Sequence, residues 1–199
     1  MIDFFSKGGV CMWPILACSV LALAIFAERL IRFAMMRSRG AGLAEKVAVL
    51  LVDEKESEAI EVARESGSSM GNVLIKAIGV KNKDRETLET VIVNSIDEEV
   101  RDLSSYVQVL ATIGNLAPMI GLLGTVLGMI KAFMVIQQMG GKVNAAVLAG
   151  GIWEAMLTTA FGLAVALPVV AAHSYLTARV DRYEAKLRDG AVTFMKSIA

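Results

Sequence analysis

The sequence predicts an all-α integral membrane protein with three transmembrane helices, two of them extended into long cytoplasmic helices. Three observations carry this expectation. Of 199 residues, 55% are apolar and only 20% charged, above the ordinary apolar share of a globular domain. The charge is also partitioned: Glu28 to Asp102 holds 27 charged residues in 75, Leu103 to Ile130 holds none, and Val143 to Ala178 holds only Glu154. A soluble core needs no uncharged stretch of that length, whereas a helix crossing a hydrocarbon layer of roughly 30 Å needs about 20 apolar residues. Finally, neither strand-like alternation of useful length nor a repeat of 20 to 50 residues is present. Composition therefore excludes a plain cytosolic domain, a disordered chain and a disulfide scaffold. The formal net charge is zero, and no basic stripe with interleaved aromatics points to nucleic acid.

Residues 1–27 read as a short outer N-terminus and a first membrane helix, its apolar run extending from Gly8 to Ala27. Ala22-Leu23-Ala24 resembles a cleavage site, but a signal peptide carries its positive charge before the apolar run. Here Arg29, Arg32, Arg37 and Arg39 follow it, and only Lys7 and the amino terminus precede. An uncleaved anchor with its N-terminus outside satisfies the positive-inside bias.

The remaining elements follow from that orientation. Residues 28–102 form a cytoplasmic helical segment. Leu43, Val47, Leu50 and Leu51 make an apolar face, and residues 57–64 continue it until Gly67 stops the helix. Leu74, Ile75 and Ile78 make a short face; Leu88, Val91, Ile92, Ser95, Ile96 and Val100 recur at helical steps and run into the membrane as one long helix. Residues 103–130 are the second membrane helix, 131–142 an outer loop, and 143–178 the third membrane helix. Residues 179–199 are a cytoplasmic helical tail with Tyr183, Leu187 and Phe194 on one stripe. This map puts 17 of the 20 Lys and Arg residues inside, as the bias requires; Lys7, Lys131 and Lys142 lie at outer ends, where they can snorkel.

Glu154 is the main chemical clue, because a carboxyl in lipid is costly unless it faces protein or water or holds a proton. It lies about 17 Å of helix beyond Val143, which favours an interior, proton-accessible position over the outer mouth of the helix. An extramembrane start to the third helix would bring it closer to the surface. Thr158, four residues on, shares its face, and Thr159 lies about 140° away. Each hydroxyl alone would bond back to its own helix; beside a carboxyl they read as the lining of a narrow polar path. Gly151 and Gly162, with Ala155, Thr159 and Ala166, are small residues suited to close packing in lipid. The second membrane helix repeats Gly114, Gly121 and Gly128 at seven-residue intervals, with Gly124 and Thr125 between, and these glycine faces suit helix packing and oligomerisation. Pro118 and Pro168 are candidate bends. His173 reads as an interfacial residue, and Cys11 and Cys18 as unpaired thiols.

The runs LAPMIGLLGTVLGM (116–129) and GIWEAMLTTAFGLAVALP (151–168) closely resemble the MotA/TolQ/ExbB proton channel family, most nearly its ExbB and TolQ branch, over essentially the whole chain. The resemblance implies a homo-pentamer in the bacterial inner membrane, N-terminus periplasmic and C-terminus cytoplasmic. Its second and third helices would line a lumen around an ExbD- or TolR-like single-span subunit bearing a membrane aspartate. It carries Thr125, Glu154 and Thr159 onto the lumen polar positions, and Thr158 onto the common double threonine; Trp153 takes a position often filled by a smaller residue. The expected function is a proton channel and stator that couples proton-motive force to work on a TonB- or TolA-like protein. The alternative is a structural membrane scaffold that oligomerises and docks partners without conducting, which explains the glycines but not Glu154. A secondary transporter lacks its inverted repeat. No nucleophile–base pair, metal-ligand spacing or phosphate loop suggests an enzyme, a metal or a cofactor.

Overall fold

The computed structural model describes residues 9–36, 42–138 and 145–198. Lys7, Arg37, Arg39, Lys142, the N-terminal eight residues and residues 139–142 of the expected outer loop lie outside the described residues, whereas residues 131–138, expected in that loop, are helical. All regular structure among the described residues is helical: α1 (Met12–Met36), α2 (Leu43–Val52), α3 (Glu56–Glu65), α4 (Ser69–Ile78), α5 (Arg85–Ser104), α6 (Val107–Gln138) and α7 (Ala145–Ser197). Three stretches are long and apolar enough to cross a membrane, within Met12–Ala34, Arg85–Gln138 and Ala149–Ser197. The all-α membrane architecture with three candidate spans is therefore what the chain forms.

The chain divides into two compact units. In the first, the described residues up to Ala27 pack with those from Tyr106 to Ser174. Its helices keep large apolar side chains on their outer surfaces, among them Trp13, Leu23, Met119, Leu122, Trp153, Met156 and Leu167. Such exposed apolar faces suit lipid or partner helices and would be a liability in water.

The second unit takes Glu28 to Ser105 and Tyr175 onward, and has a water-type core. Val47, Ala59, Val73, Leu74, Ala77, Ile78, Ile92 and Ile96 are buried together with Leu187 and Phe194 of α7. The apolar stripe read on the tail thus closes the core of the charged segment. Phe194 is wholly buried, so truncating it to Ala would cost about 3–5 kcal/mol.

Local signals set the helix ends in this unit. Ser68 caps α4 by accepting from the Gly71 amide (3.1 Å). Asp84 caps α5, accepting from the side chain (2.8 Å) and amide (2.9 Å) of Thr87, which hold its carboxyl below the ordinary carboxylate range. Gly67 has φ +54° and ends α3's run, as the sequence implies.

Two breaks depart from the sequence reading. The face begun in α2 does not continue unbroken into α3: Glu54 takes the left-handed conformation (φ 60°). The Lys55 amide donates to Leu50 carbonyl (2.9 Å) and the Glu54 amide to Leu51 carbonyl (3.2 Å), a Schellman ending made without glycine. Likewise the expected single helix into the membrane is interrupted at Ser105–Tyr106. There the buried Arg29 of α1 donates from Nη1 to the carbonyls of Asp102 (3.3 Å) and Leu103 (3.1 Å), and pairs through Nε with Glu28 (2.9 Å). The i+4 donors to those two carbonyls, Tyr106 and Val107, fall at or just past the break, so a cation at the C-terminus of α5 satisfies them and its dipole. Nothing in the local sequence of α5 or α6 signals this, because the partner comes from 73 residues away.

Candidate functional site

The site is built on α6 and α7, which run antiparallel within the first unit. Their contact is made by the small residues singled out in the sequence. A Cβ on Gly162 would lie 2.7 Å from Ala117 carbonyl oxygen and 3.2 Å from Gly121 Cα, and one on Gly121 would lie 3.1 Å from Thr159 Cα. A Cβ on Gly128 would meet Ala155 at 3.0 Å, one on Gly151 would meet Ala132 at 2.8 Å, and one on Gly114 would meet Val170 at 2.8 Å. Gly124 receives the side chain of Thr158. Any side chain on these glycines would push the backbones apart, and close backbone approach is what replaces the hydrophobic drive in lipid. The seam lies within one chain: the glycine faces read as oligomerisation surfaces are covered by the chain's own helices.

The polar groups sit along this seam in two levels. At the lower one, Thr159 Oγ1 donates across the seam to Gly121 carbonyl (3.0 Å), and Thr159 remains partly exposed. Thr158 is 1% exposed; its hydroxyl donates back to Glu154 carbonyl (2.8 Å), and its methyl fills the space over Gly124. Thr125 is partly exposed and donates back to Leu122 carbonyl (2.6 Å). The local bond holds for Thr158 and extends to Thr125, while the Thr159 hydroxyl donates from α7 across to α6.

At the upper level the Glu154 carboxylate meets Lys131 Nζ at 3.1 Å. The side chains are 29% and 59% exposed. The oxygen that meets Lys131, Oε1, also lies against Gly9, whose φ is +66° and whose missing Cβ leaves room for it. Gly9 precedes the first turn of α1, so this level is the start of the first span. Glu154 is accordingly ion-paired at the end of the polar seam, with α6 continuing seven residues past Lys131 to Gln138 and α7 beginning nine residues earlier at Ala145.

Lys131 as the partner of Glu154 is the residue that sequence reasoning missed. Its sequence position suggests an outer end, where it can snorkel. A signal was present: in an antiparallel helical hairpin, residues at similar distances from the turn share a level, and Lys131 lies seven residues before the end of α6 while Glu154 lies nine residues after the start of α7. His173 is half-buried in the first unit; Cys11 and Cys18 are free thiols, the former buried. Pro118 and Pro168 lie inside continuous helices. Among the described residues no group of three His, Cys, Asp or Glu could hold a metal ion.

Comparison with known proteins places this geometry. The sequence profile of the MotA/TolQ/ExbB proton channel family matches residues 43–189, which include all of the seam. The chain is 32% identical over 183 residues to the biopolymer transport protein exbB1 of Vibrio cholerae serotype O1, covering 90% of this chain and 80% of that one. It is 31% identical over 153 residues to the biopolymer transport protein ExbB of Pseudomonas putida, covering 72% of this chain and 46% of that one. With the Tol-Pal system protein TolQ of Haemophilus influenzae it shares 40% identity over 91 residues, 45% of this chain and 39% of that one. The chain thus spans most of the Vibrio protein and less than half of the other two. On the profile match and the Vibrio similarity together, the chain belongs to the MotA/TolQ/ExbB proton channel family, on its ExbB and TolQ branch.

Proposed function

We propose that this chain is the channel-forming subunit of an inner-membrane energising complex, in which Glu154, Thr159 and Thr125 line the route of the proton and Thr158 braces it. The observation that carries this reading is the placement of an ion pair and a cross-seam hydroxyl, all partly exposed, along two otherwise apolar membrane helices. Polar groups in that setting are expensive and mark ion pathways. The local bond of Thr158 fits a packing role, since its side chain fills the α6–α7 contact.

By family likeness the working assembly is a homo-pentamer around an ExbD- or TolR-like subunit with a membrane aspartate. It acts on a TonB- or TolA-like protein that reaches the outer membrane. A charge falling through 100 mV releases roughly 2.3 kcal/mol, enough to bias a conformational step when repeated. The glycine seam lets α6 and α7 move as one tightly packed pair.

The test replaces Glu154 by Gln and Thr159 by Val. Both variants should co-purify with the partner subunit, yet lower proton-driven outer-membrane uptake at least about tenfold, the worth of one charge-assisted interaction. His173→Asn should be mild. A scaffold would tolerate Glu154→Gln, so full activity in both variants would refute the assigned path.

A further inference from the structure

We propose that Lys131 is the positioning residue of the Glu154 carboxylate and that this pair makes the outer end of the path selective for protons over sodium; the inference rests on the channel reading above. The ammonium lies 3.1 Å from Glu154 Oε1, and the same oxygen packs into the space left open at Gly9. The same oxygen is thereby paired from α6 and accommodated at the start of α1. One of the carboxylate's two oxygens is already committed, and a cation lies beside it.

The chemistry of that arrangement discriminates between two monovalent cations. A hard metal ion needs several oxygen ligands to replace its hydration shell, and rings of unpaired carboxylates supply them in cation channels. At this level one carboxylate oxygen is engaged by Lys131, which leaves too few ligands to replace a sodium ion's hydration shell, and an arriving sodium ion meets an ammonium of like charge. A proton needs one lone pair or one ordered water. Thr159, about 7.5 Å further along α7, offers a hydroxyl that is already hydrogen-bonded across the seam, where a water chain can be anchored.

Because both side chains reach the surface of the chain, the pair adds little to stability. Lys131 variants therefore fold, and what they change is charge and carboxylate position.

The experiment reconstitutes the complex with its partner subunit in vesicles and follows proton uptake with a pH-sensitive dye. Sodium or a bulky organic cation serves as the outer salt, with radioactive sodium uptake measured in parallel. Wild type and Lys131→Arg should conduct protons equally in both salts. Lys131→Gln should shift the proton-to-sodium flux ratio about tenfold toward sodium. The charge-swapped pair Lys131→Glu with Glu154→Lys should restore indifference to sodium. Sodium-insensitive proton flux in Lys131→Gln, with Glu154→Gln still inactive, overturns the role of Lys131 and leaves the channel reading standing. Wild-type flux in Glu154→Gln overturns both. Should Lys131→Gln yield no complex, the swapped pair decides: sodium-insensitive flux supports the proposal, and sodium-competed flux overturns it.

Discussion

Three threonine hydroxyls with similar sequence surroundings find two kinds of partner. Thr125 and Thr158 return their protons to their own helices, whereas Thr159 crosses to Gly121. What separates Thr158 from Thr159 is one 100° step around α7, and the glycine opposite decides which hydroxyl can reach a carbonyl. The sequence reading recognised that Glu154, Thr158 and Thr159 belonged to one polar neighbourhood, because carboxyl and hydroxyl groups stand out in an apolar run. It could not assign their partners, since those depend on the α6–α7 register. The glycines were legible as packing positions, yet spacing alone could not say whether they packed within the chain or between chains. The consequence is testable in single substitutions. Gly162→Ala puts a methyl 2.7 Å from Ala117 carbonyl oxygen and should destabilise the isolated chain in detergent by about 1–3 kcal/mol. Gly150→Ala, where nothing lies within 4 Å, should be neutral or stabilise by up to about 1 kcal/mol through helix propensity. Melting temperatures of the two variants check this, and equal values would show that the seam is not close-packed.

At the scale of elements, the sequence announces helices well and their interruptions poorly. Gly67 was readable as a stop because glycine takes positive φ without strain, and the apolar stripes of α4, α5 and the tail were readable because their period matches the core they share. The break after Val52 was invisible for the opposite reason: the residue at the left-handed position is Glu54, and its neighbours are ordinary helix formers. Its conformation is imposed by α3, which turns back so that Ala59 and Ala63 join the core with Val47 and Ala48. A non-glycine residue there costs about 1 kcal/mol. Glu54→Gly should therefore raise the stability of the charged unit by roughly 0.5–1 kcal/mol. Glu54→Val, with a branched Cβ in the same conformation, should lower it. Urea titration of the purified chain followed by helical circular dichroism distinguishes the two, and a loss of stability in the glycine variant would mean that Glu54 has a contact worth more than its strain. The α5–α6 interruption is the harder case: Ser104 and Ser105 are unremarkable, and the cause is Arg29, a cation that the sequence offered only as one of four topology signals.

For the whole molecule, the charge partition carried the architecture. The long apolar stretches are the ones whose helices expose large apolar side chains, and the charged stretch is the one that builds a buried core with the tail. The partition has this force because lipid and water penalise opposite surfaces, so a single chain that meets both must segregate them along its length. Orientation is a further step, because helix geometry is the same whichever end faces the cytoplasm. We propose the N-terminus-outside orientation because the three-span map assigns 17 of 20 Lys and Arg residues to one side, with Arg29, Arg32, Arg179 and Arg182 close to the spans, where such a bias acts most strongly. The expected outcome is that a single cysteine at Gln138, the exposed end of α6, labels with a membrane-impermeant maleimide in intact spheroplasts. A cysteine at Ser197, at the end of α7, should label only after permeabilisation. Cys11 and Cys18 must be replaced by serine first, Cys11 being expected on the outer side at the start of the first span. Both sites reacting only after permeabilisation would mean that α6 and α7 do not cross as a hairpin. The reverse pattern would invert the chain in the membrane, put the Glu154–Lys131 pair at the cytoplasmic end of the seam, and make that pair the exit of an inward proton path.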